Sequence, residues 1–174
     1  MGFLMFTARV HDLISRKHNI EYRLAKITKK LMDVQQYAAT IGNGKVSIGD
    51  LLNSPGSMMG RTMGYLAFAH NSSMQYMQQN APYMQQMYMQ QMNGQNQTPQ
   101  QQQQWNNYIM RMLYQQGRDR AAEIEKKNLD IEEQRINQEK TKLEDMYKMI
   151  SQELEEAKKA RDQGIKDMAP KYTA

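Results

Sequence analysis

The stretch that decides the fold is ARVHDLISRKHNIEYRLAKITKKLMDVQQYAATI, residues 8–41. Val10, Leu13, Ile20, Leu24, Ile27, Leu31, Val34, Ala38 and Ile41 recur at alternating steps of three and four residues, with Lys17 as the polar member of the series. That spacing keeps one stripe on one side of a helix and is the a/d seam of a coiled coil. It predicts a helix from about Ala8 to Ile41, roughly 50 Å long at 1.5 Å per residue. With Val10 at position a, Arg9, Arg16, Arg23 and Lys30 all fall at position g, beside the seam.

A second long helix is predicted from just after Trp105 to about Asp167, ended by Pro170 in MAPKYTA. Leu129, Ile136, Leu143, Ile150 and Ala157 repeat every seven residues, with Tyr147 and Leu154 in a supporting column. Ile124 and Ile131 lie on an offset column, so the register shifts once. With Leu129 at position d, Glu132, Glu139 and Glu153 fall at g. Because g faces g only when two helices run in opposite directions, basic g residues on one helix and acidic g residues on the other favour antiparallel pairing. The expected fold is all-α, an elongated antiparallel helical hairpin. Val10, Leu13, Ile20, Leu24, Ile27, Leu31 and Val34 form its seam with Leu129, Ile136, Leu143 and Ile150. The second helix outruns the first, so part of it must meet the middle segment or another subunit.

Between the helices lies a segment of different chemistry. Of 174 residues, 17 are Met and 10 Tyr, while Phe and Trp together contribute only four, so the apolar content suits a helical body more than a thick core. Residues 1–61 hold nine Lys or Arg against four Asp or Glu, and residues 111–174 hold fourteen of each. From Thr62 to Met110 there is no charged residue. The expected divisions are therefore an N-terminal coiled-coil helix over 1–41, a Gly-rich then Met/Gln/Tyr-rich middle over 42–110 and a charged coiled-coil helix over 111–174. The run QNQTPQQQQQ is read as a flexible tip at 93–104.

Within the middle, Met74, Met77, Ala81, Met84, Tyr88 and Met92 recur at helical steps. Met is a good helix former that packs adaptably, so Met74, Met77, Met84, Tyr88 and Met92 are a candidate contact face. The competing readings are disorder and a soft Cu(I) site built from Met84, Met87, Met89 and Met92. Gly56, Gly60 and Gly64, four apart, form either a smooth close-packing stripe on a helix or a glycine-rich loop.

Other motifs resolve to plainer readings. GNGKVS follows a coiled-coil helix rather than a strand and lacks the first glycine of a phosphate loop, so it reads as a turn. His11 and His18 are two helical turns apart, about 10 Å, too far to share a metal. No Cys exists to act as nucleophile or thiolate ligand, and the carboxylates of EIEKKNLDIEEQRINQEK alternate with cations as a solvated ion-pair surface. No catalytic residues, cofactor or metal are expected. The basic first helix lacks the aromatic platform of a nucleic-acid binder, and its cations sit beside a seam, so nucleic acid is not an expected partner. No stretch is apolar enough to span a bilayer, and Arg9 interrupts the N-terminal apolar run. A soluble protein, cytoplasmic or exported without a conventional signal, is expected.

FTARVHDLISRKHNIEYRLAKI, with Thr7, Ala8, Arg9, Asp12, Leu13, Glu21 and Tyr22, resembles the opening of small uncharacterised bacterial proteins with a TAR-x-x-D-L-type helix and a C-terminal coiled coil. LEEAKKARDQGIKDMAPKY is similar to their tails. The layout, terminal helices that pair around a variable middle, resembles that of flagellins and type III secretion filament proteins. The expectation is a non-enzymatic, self-associating structural subunit of a filament or other assembly, a homo-oligomer or polymer. The alternative is an adaptor or secretion chaperone that binds one partner protein through the Met-rich surface.

Overall fold

The structure, a computed structural model, describes residues 2–42, 48–91 and 98–168. Four helices follow one another: α1 (Gly2–Ile41), α2 (Ile48–Leu52), α3 (Met59–Gln91) and α4 (Pro99–Met168). Among the described residues there is no strand, and no helix is long and apolar enough to cross a membrane. The fold is an all-α helical hairpin in which α1 and α4 pack against each other. The chain divides into two compact units, Met1–Met32 with Gln134–Ala174, and Asp33–Glu133, so α1 and α4 each contribute a segment to both. These divisions cut across the three sequence blocks, because each long helix serves two units.

In the first unit the seam is built as its spacing predicts. Val10, Leu13, Leu154 and Ala157 form one buried cluster with Ile14 and Ile150 packed against it. Ile20, Ile27, Leu31, Ile136 and Leu143 are also buried, and Leu24 is half-buried. Full burial of such a side chain is worth about 1.5–3 kcal/mol, so this stripe holds the pair together. Arg9 lies 3.7 Å from Glu153, and Arg23 lies 4.0 Å from Glu139. Both are g-to-g contacts, and the partner's number falls as the α1 number rises, which fixes the antiparallel direction. These side chains are about half exposed or more, so each pair adds at most about 1 kcal/mol and acts chiefly on orientation and register. Lys17, the polar seam residue, sits with its Nζ 4.9 Å from the Tyr147 ring centre, and the Tyr147 hydroxyl donates to Glu21 at 3.1 Å. Its apolar stem packs while its ammonium finds a ring face.

The second unit adds α2 and α3. Helix α1 stops at Gly42, whose N–H donates to the Ala39 carbonyl at 3.2 Å and whose own carbonyl accepts from Lys126 Nζ at 2.7 Å. A cation thus satisfies one of the carbonyls a helix end leaves unpaired. Residues 43–47, which include most of GNGKVS, lie outside the described residues. The turn from α2 into α3 is pinned to α1: Ser57 donates to Asp33 at 2.6 Å, and Gln36 donates to the Asn53 carbonyl at 3.2 Å. Helix α3 continues through Pro82, which is exposed, so the carbonyl four residues earlier loses its helical donor on the side open to water.

Helix α4 begins at Pro99, inside the run expected to be a flexible tip. The Gln101 N–H donates to the Thr98 hydroxyl at 3.4 Å, and the Gln101 side chain accepts from the Thr98 N–H at 3.2 Å. This is a reciprocal capping box with proline at the first helical position, which starts a helix despite the Gln-rich composition. The first part of the tip, residues 93–97, lies outside the described residues.

Candidate protein-contact surface

The second unit closes around a polar junction where α1, α3 and α4 meet. Val34, Tyr37 and Ile41 of α1 are completely buried. Ala38, the residue the regular spacing puts at this point, is only half-buried. The seam therefore slips by one position at Tyr37, as a strict seven-residue repeat must on a 3.6-residue helix once a third helix joins. The Tyr37 hydroxyl donates to Glu125 at 3.2 Å. Arg61 of α3 donates through Nε to the same Glu125 oxygen at 2.7 Å and through Nη1 to Glu132, with its guanidinium 5.3 Å from the Tyr37 ring centre. One arginine thereby spans two carboxylates seven residues apart on α4. Burial raises the Tyr37 phenol well above its ordinary pKa, and the neighbouring Glu125 carboxylate adds to the rise. Burial works against the Arg61 charge, but Glu132 and Glu125 outweigh it and raise its pKa.

Beyond the junction, α3 and α4 form an antiparallel pair of their own. The His70 Nδ1 and the Tyr114 hydroxyl share a hydrogen bond of 2.9 Å, the Arg120 guanidinium lies 4.4 Å from the Tyr76 ring centre, and Tyr88 stacks on Trp105 at 4.4 Å. From Arg61 with Glu125, through Ser73 with Gly117, to Tyr88 with Trp105, the α4 partner falls in number as the α3 number rises. Midway, the two backbones come very close: a Cβ on Gly117 would lie 2.6 Å from the Ser73 Cα. Only glycine fits there. Ser73 is fully buried and returns its hydroxyl to the Ala69 carbonyl, which satisfies its polar atom inside its own helix.

The Met/Tyr face sits largely in this pair. Met77 and Met84 pack with Tyr76 and Trp105 against Ala81, Ile109 and Leu113. Tyr88 lies on Trp105, Met74 is half-buried, and Met92 lies outside the described residues. What the described part of this face meets is the chain's own α4. Part of the surplus length of the second helix is used in this way.

The opposite face of α3 is open. Gly60, Met63, Gly64, Ala67, Phe68 and Asn71 are exposed, and the stripe continues through Gln75, Gln78, Pro82, Gln85 and Met89. Met63 and Phe68 show about half of their surface, 55% and 48%, and no residue from Thr62 to Gln91 is charged. A solvent-facing helix side ordinarily carries charges. Gly60 and Gly64 lie within the helix, Gly56 lies in the turn before it, and a Cβ at any of the three would meet nothing within 4 Å among the described residues. None of them is required by packing among the described residues, whereas Gly117 is. At the start of α1, a shallow groove lined by Phe6, Arg9, Glu153, Glu156, Ala157 and Ala160 holds one cation, Arg9, paired with Glu153, and a second carboxylate, Glu156.

Tyr37, Arg61, Glu125, Ser73 and Gly117 are the residues that sequence reasoning passed over. Arg61 had one available signal: it is the last charged residue before the uncharged run. Glu125 and Glu132 are spaced to meet one partner from a single helix face. No protein-family model, no curated protein and no solved structure matches this chain.

Proposed function

We propose that this protein is a non-enzymatic structural subunit that associates with itself through its helices. The observation that carries this reading is the outward side of α3, a helix face exposed from Gly60 to Met89 with apolar residues and no charge. Such a surface lacks the repulsion and hydration that keep copies apart. A filament is the assembly most in keeping with a body built of long paired helices, while an adaptor that uses the same face for one partner protein is the second reading.

The two readings differ in stoichiometry. Sedimentation velocity of the full chain across a wide concentration range is expected to show species that keep growing with concentration, and negative-stain imaging should then show polymers. A sharp boundary for a fixed monomer or dimer at every concentration overturns the assembly reading and favours the adaptor.

A further inference from the structure

We infer that the outward face of α3 packs against the same face of a second copy of this chain, in an isologous contact centred on Gly60, Met63, Gly64, Ala67, Phe68 and Asn71. The inference rests on the self-association reading and names the surface and the partner.

The charge pattern selects the occupant. Burying a charge without a partner is costly, and in this protein α1 between Arg9 and Asp33, and α4 from Arg111 onward, carry charges at nearly every turn. The outward face of α3 carries none from Gly60 to Met89. Placed against a charged helix surface, it would strip water from charges and offer nothing in return. Placed against its own copy, it leaves no charge unpaired. Arg61 does not disturb this match, because its guanidinium is turned to Glu125 and Glu132 on the other side of the helix.

Shape points the same way. Glycine lowers helix stability relative to alanine, yet Gly60 and Gly64 stand inside α3 where a Cβ would meet nothing among the described residues. Between two copies these positions allow close backbone approach, with Met63 on one flank and Phe68 on the other as knobs that reach across the axis. From Gly60 to Gln90 the face is roughly 45 Å long and about 10 Å wide, on the order of 450 Å² per copy, against about 800 Å² per partner in a stable interface. The contact is therefore weak and concentration-dependent. An isologous contact closes a dimer, so open-ended growth needs a second, different contact elsewhere on the protein.

The chain contains no cysteine, which makes cross-linking a direct test. Gly64→Cys, and in a parallel chain Gly60→Cys, would be oxidised mildly beside Gln138→Cys, an exposed control on α4. Helix content is checked by circular dichroism. The expected result is a disulfide-linked dimer that forms at least about tenfold faster from the α3 variants than from the control, through the raised local concentration of facing thiols. Phe68→Lys in the same chains should abolish that advantage. Equal rates at α3 and at the control overturn the inference, as does a Phe68→Lys chain that still associates like the parent in sedimentation; self-assembly would then survive and use another surface. A parent chain that stays monomeric at every concentration overturns the assembly reading itself.

Discussion

The two units of this protein solve the same problem with opposite chemistry. In the first, α1 and α4 meet along an aliphatic seam flanked by Arg9, Arg23, Glu139 and Glu153, and both outer faces are charged. In the second, α3 meets α4 through Met, Tyr, Trp and small residues, the closest approach is made at Gly117, and the outer face of α3 is neutral. The first arrangement separates inside from outside by polarity. The second separates its faces by shape, because both sides of α3 are apolar or amide-bearing and, among the described residues, only one of them has a partner. That difference leaves a surface available for another copy.

The largest effect should come from the junction of three helices. Tyr37→Ala empties a fully buried site and removes the hydrogen bond to Glu125, and should lower the unfolding free energy by about 3–5 kcal/mol, against about 2 kcal/mol for Leu13→Ala in the two-helix unit. Urea unfolding checks this, with emission from Trp105, the sole tryptophan, reporting the second unit. Equal losses at the two sites would erase the contrast between the units.

Arg61→Ala should follow at about 2–3 kcal/mol, because it leaves Glu125 and Glu132 together without their cation; the cost falls short of a fully buried pair since Arg61 is about a third exposed. The same junction sets an alkaline limit. The folded state holds Tyr37 protonated through burial and Glu125, and Tyr65 through burial, so both pKa values are raised above the ordinary value. Their contribution is complete below about pH 10 and is lost as pH climbs through the raised folded-state values. Tyr37→Phe should flatten that decline in thermal scans between about pH 10 and about pH 12. The smallest effect is expected in the first unit: Arg23→Glu should cost under about 1 kcal/mol, and Arg23→Glu with Glu139→Arg should return to the parent value.

What could be read in advance follows from these chemistries. The seam of α1, its partner column in α4 and their antiparallel direction are legible because the apolar spacing and the flanking charges are local in sequence. The start of α4 was also written in the chain, as the capping box from Thr98 to Gln101, but the glutamine run obscured it by composition. The role of Gly117 was not legible, since a close approach depends on Ser73, 44 positions earlier, as much as on the glycine. Gly60 and Gly64 stand out by spacing and are open among the described residues. For Met77, Met84 and Tyr88 the periodicity marked a buried face but carried no information on whether the cover would be the same chain or another.

Helix α3 has one face closed by its own chain and one face left uncovered among the described residues. Thermal unfolding of Gly117→Ala beside Gly64→Ala, at a concentration below the onset of association, tests it most directly. Gly117→Ala should unfold at a lower temperature, because its new methyl meets the Ser73 backbone and costs about 1–3 kcal/mol. Gly64→Ala should unfold at a higher temperature, because alanine favours the helix by up to about 1 kcal/mol and meets nothing. Shifts of the same sign at the two positions would contradict this account.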